Sequence, residues 1–139
     1  MDTRQISEEY TQIAKELIDT EAELEYIKNS NVQIIYLASQ HKKVGNHKKI
    51  LGQCEKIAEK YKWGIPCDFT ITVFEPNIEG FTDEQVRMLL FHELLHVGIE
   101  TTADGEESYS IVPHDLEDFK TIINKYGTDW NKVDNEENR

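Results

Sequence analysis

Between Leu89 and Gly98 the chain reads Leu-Leu-Phe-His-Glu-Leu-Leu-His-Val-Gly, and no other stretch limits the possible folds so strongly. On a helix, a spacing of four residues puts His92 and His96 on one face about a turn apart, close enough to share a metal ion. Glu93, one step round, can reach a metal-bound water. Zinc suits such a site, because neutral imidazole is among its preferred ligands and an open fourth position leaves room for that water. The pattern is the chemistry of a zinc peptidase, with Glu93 as general base. Two histidines and a carboxylate on a buried helix would be costly without a metal or other partners.

The flanking residues predict how this helix begins and ends. Thr82 can N-cap, Gln85 can close a capping box, and Phe81 can staple onto Val86. Leu89, Leu90, Phe91, Leu94, Leu95 and Val97 surround the axis, so the helix belongs inside the domain. Gly98 is the expected C-cap.

Apolar periodicity predicts the other elements. Ile6, Tyr10, Ile13, Leu17, Leu24 and Ile27 step by threes and fours, with Thr20 in the one polar slot. They predict an amphipathic helix over about residues 6–28 that packs on the domain's own sheet. Val32–Ala38 reads as a central strand, and Phe69, Ile71 and Val73 alternate through the clearest strand, Cys67–Phe74. If that strand is an edge beside the motif helix, an extended peptide could add to it and cross the metal. Residues 40–49 read as an exposed polar and basic turn, in which His41 and His47 are solvated. Residues 50–61 fit both a helical stripe and a strand, and strand is preferred. A loop turns at Asp104-Gly105, Ser108–Val112 can form a short strand, and Pro113 opens a helix carrying Leu116, Phe119, Ile122, Ile123 and Tyr126 up to Gly127. A polar tail follows from about 133 to 139. The expected fold is α+β: a small antiparallel or mixed sheet packed on the buried motif helix, with N- and C-terminal helices.

At 139 residues the chain suits a single domain, 1–139, with a real core. Fifteen Lys and Arg against 27 Asp and Glu give a net charge of -12, which argues against general nucleic-acid or anionic-membrane binding and favours partners with basic patches. With no basic, apolar leader and no run long enough to span a bilayer, a cytoplasmic monomer is expected. Cys54 and Cys67 lack metal-knuckle spacing and read as buried thiols.

A catalytic zinc takes three protein ligands. The candidates for the third are His114, Glu100, Asp104, Glu106, Glu107, Asp115, Glu117 and Asp118. His114 is preferred because it starts the helix after Pro113, where it can be aimed back at the motif. A carboxylate of Asp115, Glu117 or Asp118 is the alternative, and Asp115 or Asp118 could instead orient a ligand ring. Tyr109 is the nearest phenol that could stabilise an oxyanion, although a core role suits it better.

Cys67-Asp68-Phe69 with Ile71, Glu84-Gln85, the motif itself, and Pro113-His114-Asp115-Leu116-Glu117-Asp118-Phe119 with Tyr126-Gly127 and Trp130 resemble the phage metallopeptidase family over about Val32 to Trp130. The resemblance implies a minimal zincin whose site is completed by the histidine after the motif helix. It also implies a strand at Ile50–Ile57 and a phage or prophage origin, hence the cytoplasm of a bacterial host. The spacing of His114 and Phe119 is distantly similar to SprT-like zincins, which act on proteins bound to DNA. Two readings compete with a peptidase acting on a peptide or protein substrate: a binding module with structural zinc, and an acidic DNA mimic. A structural site has no use for Glu93, and a mimic needs its acids on one face, whereas here they are scattered.

Overall fold

In the computed structural model, which describes residues 3–45 and 48–113, the chain enters as a strand, β1 (Arg4–Ile6), where the sequence predicts the start of a helix. Ser7 is the reason. Its side chain accepts the Tyr10 N–H at 3.1 Å and caps α1 (Glu8–Thr20), so Ile6 is left outside the helix and 66% exposed. The long helix over 6–28 is also interrupted. Thr20, in the polar slot of the stripe, turns its hydroxyl back to the Glu16 carbonyl at 2.8 Å, and Glu21 then becomes extended. A 3-10 turn (Ala22–Leu24) and the short α2 (Glu25–Lys28) follow, which still bring Leu24 and Ile27 into the core beside Leu17.

β2 (Ile34–Ser39) lies inside the main sheet, antiparallel to β1 and parallel to β6 (Phe69–Phe74). The basic turn at 40–49 contains a two-residue hairpin, β3 (Val44–Gly45) with β4 (Lys48–Lys49). The ambiguous stretch after it is strand, β5 (Gly52–Lys56), antiparallel to β6. The sheet order is β1-β2-β6-β5, so the condition that β6 be an edge, on which peptide addition to it depended, is not met. β6 is buried on both faces, by Phe69, Ile71 and Val73 on one and by Thr72 and Phe74 on the other, and such a strand belongs in a sheet interior. The edge on that side is β5.

α3 (Asp83–Leu94) begins with the predicted reciprocal cap: the Gln85 N–H donates to Thr82 Oγ1 at 3.2 Å, and the Thr82 N–H to Gln85 Oε1 at 2.8 Å. Leu89, Leu90, Phe91 and Leu94 enter one core with Leu17 of α1 and Phe69, Ile71 and Val73 of β6. Each such side chain contributes about 1.5–3 kcal/mol on burial, which is what holds a helix end carrying the buried His92 and Glu93 inside the protein.

The helix does not end on a glycine cap. Gly98 lies in β7 (Val97–Thr101), paired with Ser110 of β8 (Glu107–Ile111). A Cβ at Gly98 would stand 2.6 Å from Ser110 Oγ and 2.9 Å from its carbonyl, so a glycine is needed for the two strands to close, not for a helix terminus. The turn between them is where the sequence places it, with Gly105 at φ 86. Among the described residues the architecture is therefore α+β: three α-helices, a four-stranded mixed sheet and two two-stranded sheets. No described helix is long and apolar enough to cross a membrane. The C-terminal helix expected from Pro113, Trp130 and the polar tail lie outside the described residues, as does His47.

Candidate metal centre

His92 and Glu93 sit in the last turn of α3, and His96 lies just past its end, where its N–H closes a tighter turn onto the Glu93 carbonyl at 3.1 Å. All three are buried, at 9%, 6% and 6% exposure. The two imidazoles meet edge to face, with centroids 5.1 Å apart. They are therefore brought together as the four-residue spacing predicts.

His96 is held by a residue that sequence reasoning did not single out. Its Nδ1 lies 2.6 Å from the Val112 carbonyl oxygen, and the Val112 N–H donates to the His96 carbonyl at 2.7 Å. A carbonyl only accepts, so Nδ1 is the donor in this bond, and in the neutral ring Nε2 is then the nitrogen with ligand character. Histidine ligands are commonly oriented and made more basic in this way, so the ring is suited to hold a metal ion. Nothing in the identity of Val112 announces this role, because the partner is a backbone atom.

Glu93 lies against β5. A Cβ at Gly52 would stand 3.3 Å from both Glu93 Cγ and Oε2, and 3.2 Å from the Thr72 carbonyl, so the missing side chain is what lets the edge strand reach the carboxylate. A glycine inside a strand pattern signals such an approach, and this was the available clue. Gly52, Gln53 and Cys54 line a cleft of about 370 Å³ with Glu93, His96, Ile111 and Pro113. Burial, reinforced by the charges of Glu93 and Glu55, pushes the Cys54 thiol up to about 12, so it stays protonated and is no nucleophile at neutral pH. Burial also raises the Cys67 thiol, and both cysteines are free, as expected.

The other candidates among the described residues do not join this pair. Tyr109 donates to Glu107 Oε1 at 2.7 Å, packs its ring edge-on to Phe69 and lies under the Lys62 ammonium. Burial and the Glu107 bond push its phenol up to about 12, the environment of a structural tyrosine rather than an oxyanion donor. Glu107 also accepts the Asn31 N–H, Asp104 is bonded to Thr102, and Glu100 and Glu106 are exposed on the hairpin. His41 is an exposed loop histidine. Among the described residues no group of three or more His, Cys, Asp or Glu side chains converges as a metal site. His114, Asp115, Glu117 and Asp118 lie outside them.

The model of the family described as "Putative phage metallopeptidase" matches residues 3–136, nearly the whole chain. The chain belongs to that family. The family's own description names a metal-dependent peptidase. No curated protein and no solved structure matches the chain.

Proposed function

We propose that the protein is a single-domain, zinc-dependent peptidase of minimal zincin form, with His92, His96 and His114 as ligands and Glu93 as general base. What carries this is the bond from His96 Nδ1 to the Val112 carbonyl, which fixes a ligand-competent imidazole beside His92 at the floor of a cleft. Val112 stands two residues before His114 in the chain, so the segment leading to the proposed third ligand is already tied to the second. When bound, zinc supplies Lewis acidity, the property that polarises a carbonyl and acidifies water. Glu93 takes the proton from the attacking water and returns it to the leaving amine. A carboxylate held against the β5 backbone is well placed for both transfers. The substrate is an extended polypeptide aligned on the edge of β5, the strand that replaces β6 in this role. The protein works as a monomer in the cytoplasm of a bacterial host.

Glu93→Gln tests the assignment, because it keeps the shape of the side chain and removes only the proton acceptor. Zinc content and melting temperature should stay close to wild type, while cleavage of a responsive peptide falls by about two to four orders of magnitude. Unchanged cleavage at unchanged zinc would falsify the role of Glu93. A wild type that cleaves nothing in a broad peptide library would turn the site into a structural one.

A further inference from the structure

Seven of the chain's 15 Lys and Arg residues lie between Lys42 and Lys62, a window that holds only two of its 27 acidic residues, Glu55 and Glu59. A net charge of -12 conceals this local reversal. Both acids are already engaged, Glu55 with Arg4 at 3.3 Å and Glu59 with Lys62 at 2.7 Å, and Lys62 also takes Asp68 at 2.8 Å. Lys42, Lys49 and Lys56 are exposed and form no ion pair among the described residues.

These lysines border one feature. The Ile50 N–H donates to the Lys43 carbonyl at 3.0 Å, and Asn77 Nδ2 bonds the carbonyls of Lys43 and Ile50, which pins the β3-β4 hairpin with Lys42 and Lys49 at the head of β5. Lys56 is the last residue of β5, and Lys60 stands in the turn that follows. Gly52 to Lys56 spans about 13 Å at the rise of a strand. Along that length β5 is hydrogen-bonded to β6 on one side and to no other strand among the described residues, and its first three residues line the cleft with Glu93, His96 and Ile111 of β8.

We propose that the free edge of β5 takes an acidic, extended polypeptide, whose backbone pairs with the strand while its carboxylates meet the lysines at either end. This rests on the cleft being the substrate site. A nucleic acid is the other anion that lysines attract, and the exposed Tyr61 and Trp63 could stack on bases. The strand edge decides between them, because its outer donors and acceptors, which pair with no strand among the described residues, recur at the spacing of a peptide backbone.

The test uses zinc-loaded, full-length Glu93→Gln, so that binding is read without cleavage. Two fluorescein-labelled peptides share one apolar core and carry either glutamates or lysines on its flanks, and a labelled single-stranded oligonucleotide forms the third arm. The glutamate peptide should bind about tenfold more tightly than the lysine peptide at low salt, and the difference should collapse at high salt. Adding Lys49→Glu and Lys56→Glu should reverse the preference, and Lys42→Glu with Lys60→Glu should reproduce this without touching the strand. Equal binding of the two peptides, or a preference that survives both charge reversals, overturns the proposal. So does an oligonucleotide that binds more tightly and displaces the glutamate peptide. Selective binding of the glutamate peptide by a protein whose wild type cleaves nothing supports the docking surface and removes only the peptidase assignment.

Discussion

The two walls of the cleft are built on opposite principles. On the α3 side, His96 is fixed twice by Val112, through its ring and through its backbone, and the helix behind it is sunk in the core by Leu89, Leu90, Phe91 and Leu94. On the β5 side, one strand is hydrogen-bonded to β6 and to no other strand among the described residues, and touches the site through a glycine. The first arrangement suits groups that must not move, since small displacements of reacting groups are expensive in rate. The second leaves a backbone edge and exposed charge available to a partner. On the proposed reading, chemistry and recognition fall to different walls, and variants on one should not imitate variants on the other.

The largest effect should come from the buried wall. His96→Ala removes a proposed ligand and the ring that Val112 orients, so zinc content should drop from about one per chain to near zero and hydrolysis should vanish with it. The same measurement on His114→Ala assigns the third ligand, because wild-type zinc in that variant moves the role to Asp115, Glu117 or Asp118. Full zinc retention in His96→Ala would end the division of labour between the walls.

Gly52→Ala should be smaller and of a different kind. The new methyl is pressed between the Thr72 carbonyl, which is fixed in the sheet, and the Glu93 carboxylate, which can give way. Zinc binding should persist, while kcat falls on the order of a hundredfold through misplacement of the base, with little change in KM. Because the mechanism is contact between two side chains, the substitution should lower the melting temperature more in the wild-type background than beside Glu93→Ala, where the space is free. Strict additivity of the two would show that Gly52 does not act through Glu93.

What the sequence made legible follows the same division. The cap at Thr82, the apolar surround of α3 and the histidine pair are encoded by local spacing, and local spacing can be read from residue types. β5 was ambiguous because Ile50, Cys54, Ile57, Ala58 and Tyr61 keep a helical period while Ile50, Gly52 and Cys54 also alternate with Leu51, Gln53 and Glu55 as in a strand. The alternation of Phe69, Ile71 and Val73 marked β6 as a strand but not its place in the sheet, which depends on the burial of Thr72 and Phe74 on the other face. The break at Glu21 and the strand before Ser7 lay inside a stripe whose period never faltered. Hydrogen bonding by Thr20 and Ser7 overrode that period. The grip of Val112 on His96 had no signature, since any residue could supply the carbonyl.

Thr82→Ala is the smallest expected effect and the sharpest control on the comparison. Removing the hydroxyl leaves the Gln85 N–H without its cap at the start of α3, a loss of about 1 kcal/mol. In a domain of this size that corresponds to a melting temperature lower by about 3–5 °C. The cap lies three helical turns from Glu93, and the core residues between them are untouched, so zinc content, kcat and KM of the folded protein should all match wild type. Gly52→Ala is expected to show the converse, a loss of rate out of proportion to its cost in stability. If Thr82→Ala depressed kcat as much as Gly52→Ala does, the α3 wall would be transmitting motion along its length to Glu93 and His96. Its rigidity would then depend on the cap rather than on the core around Leu89 to Leu94 and the bonds to Val112.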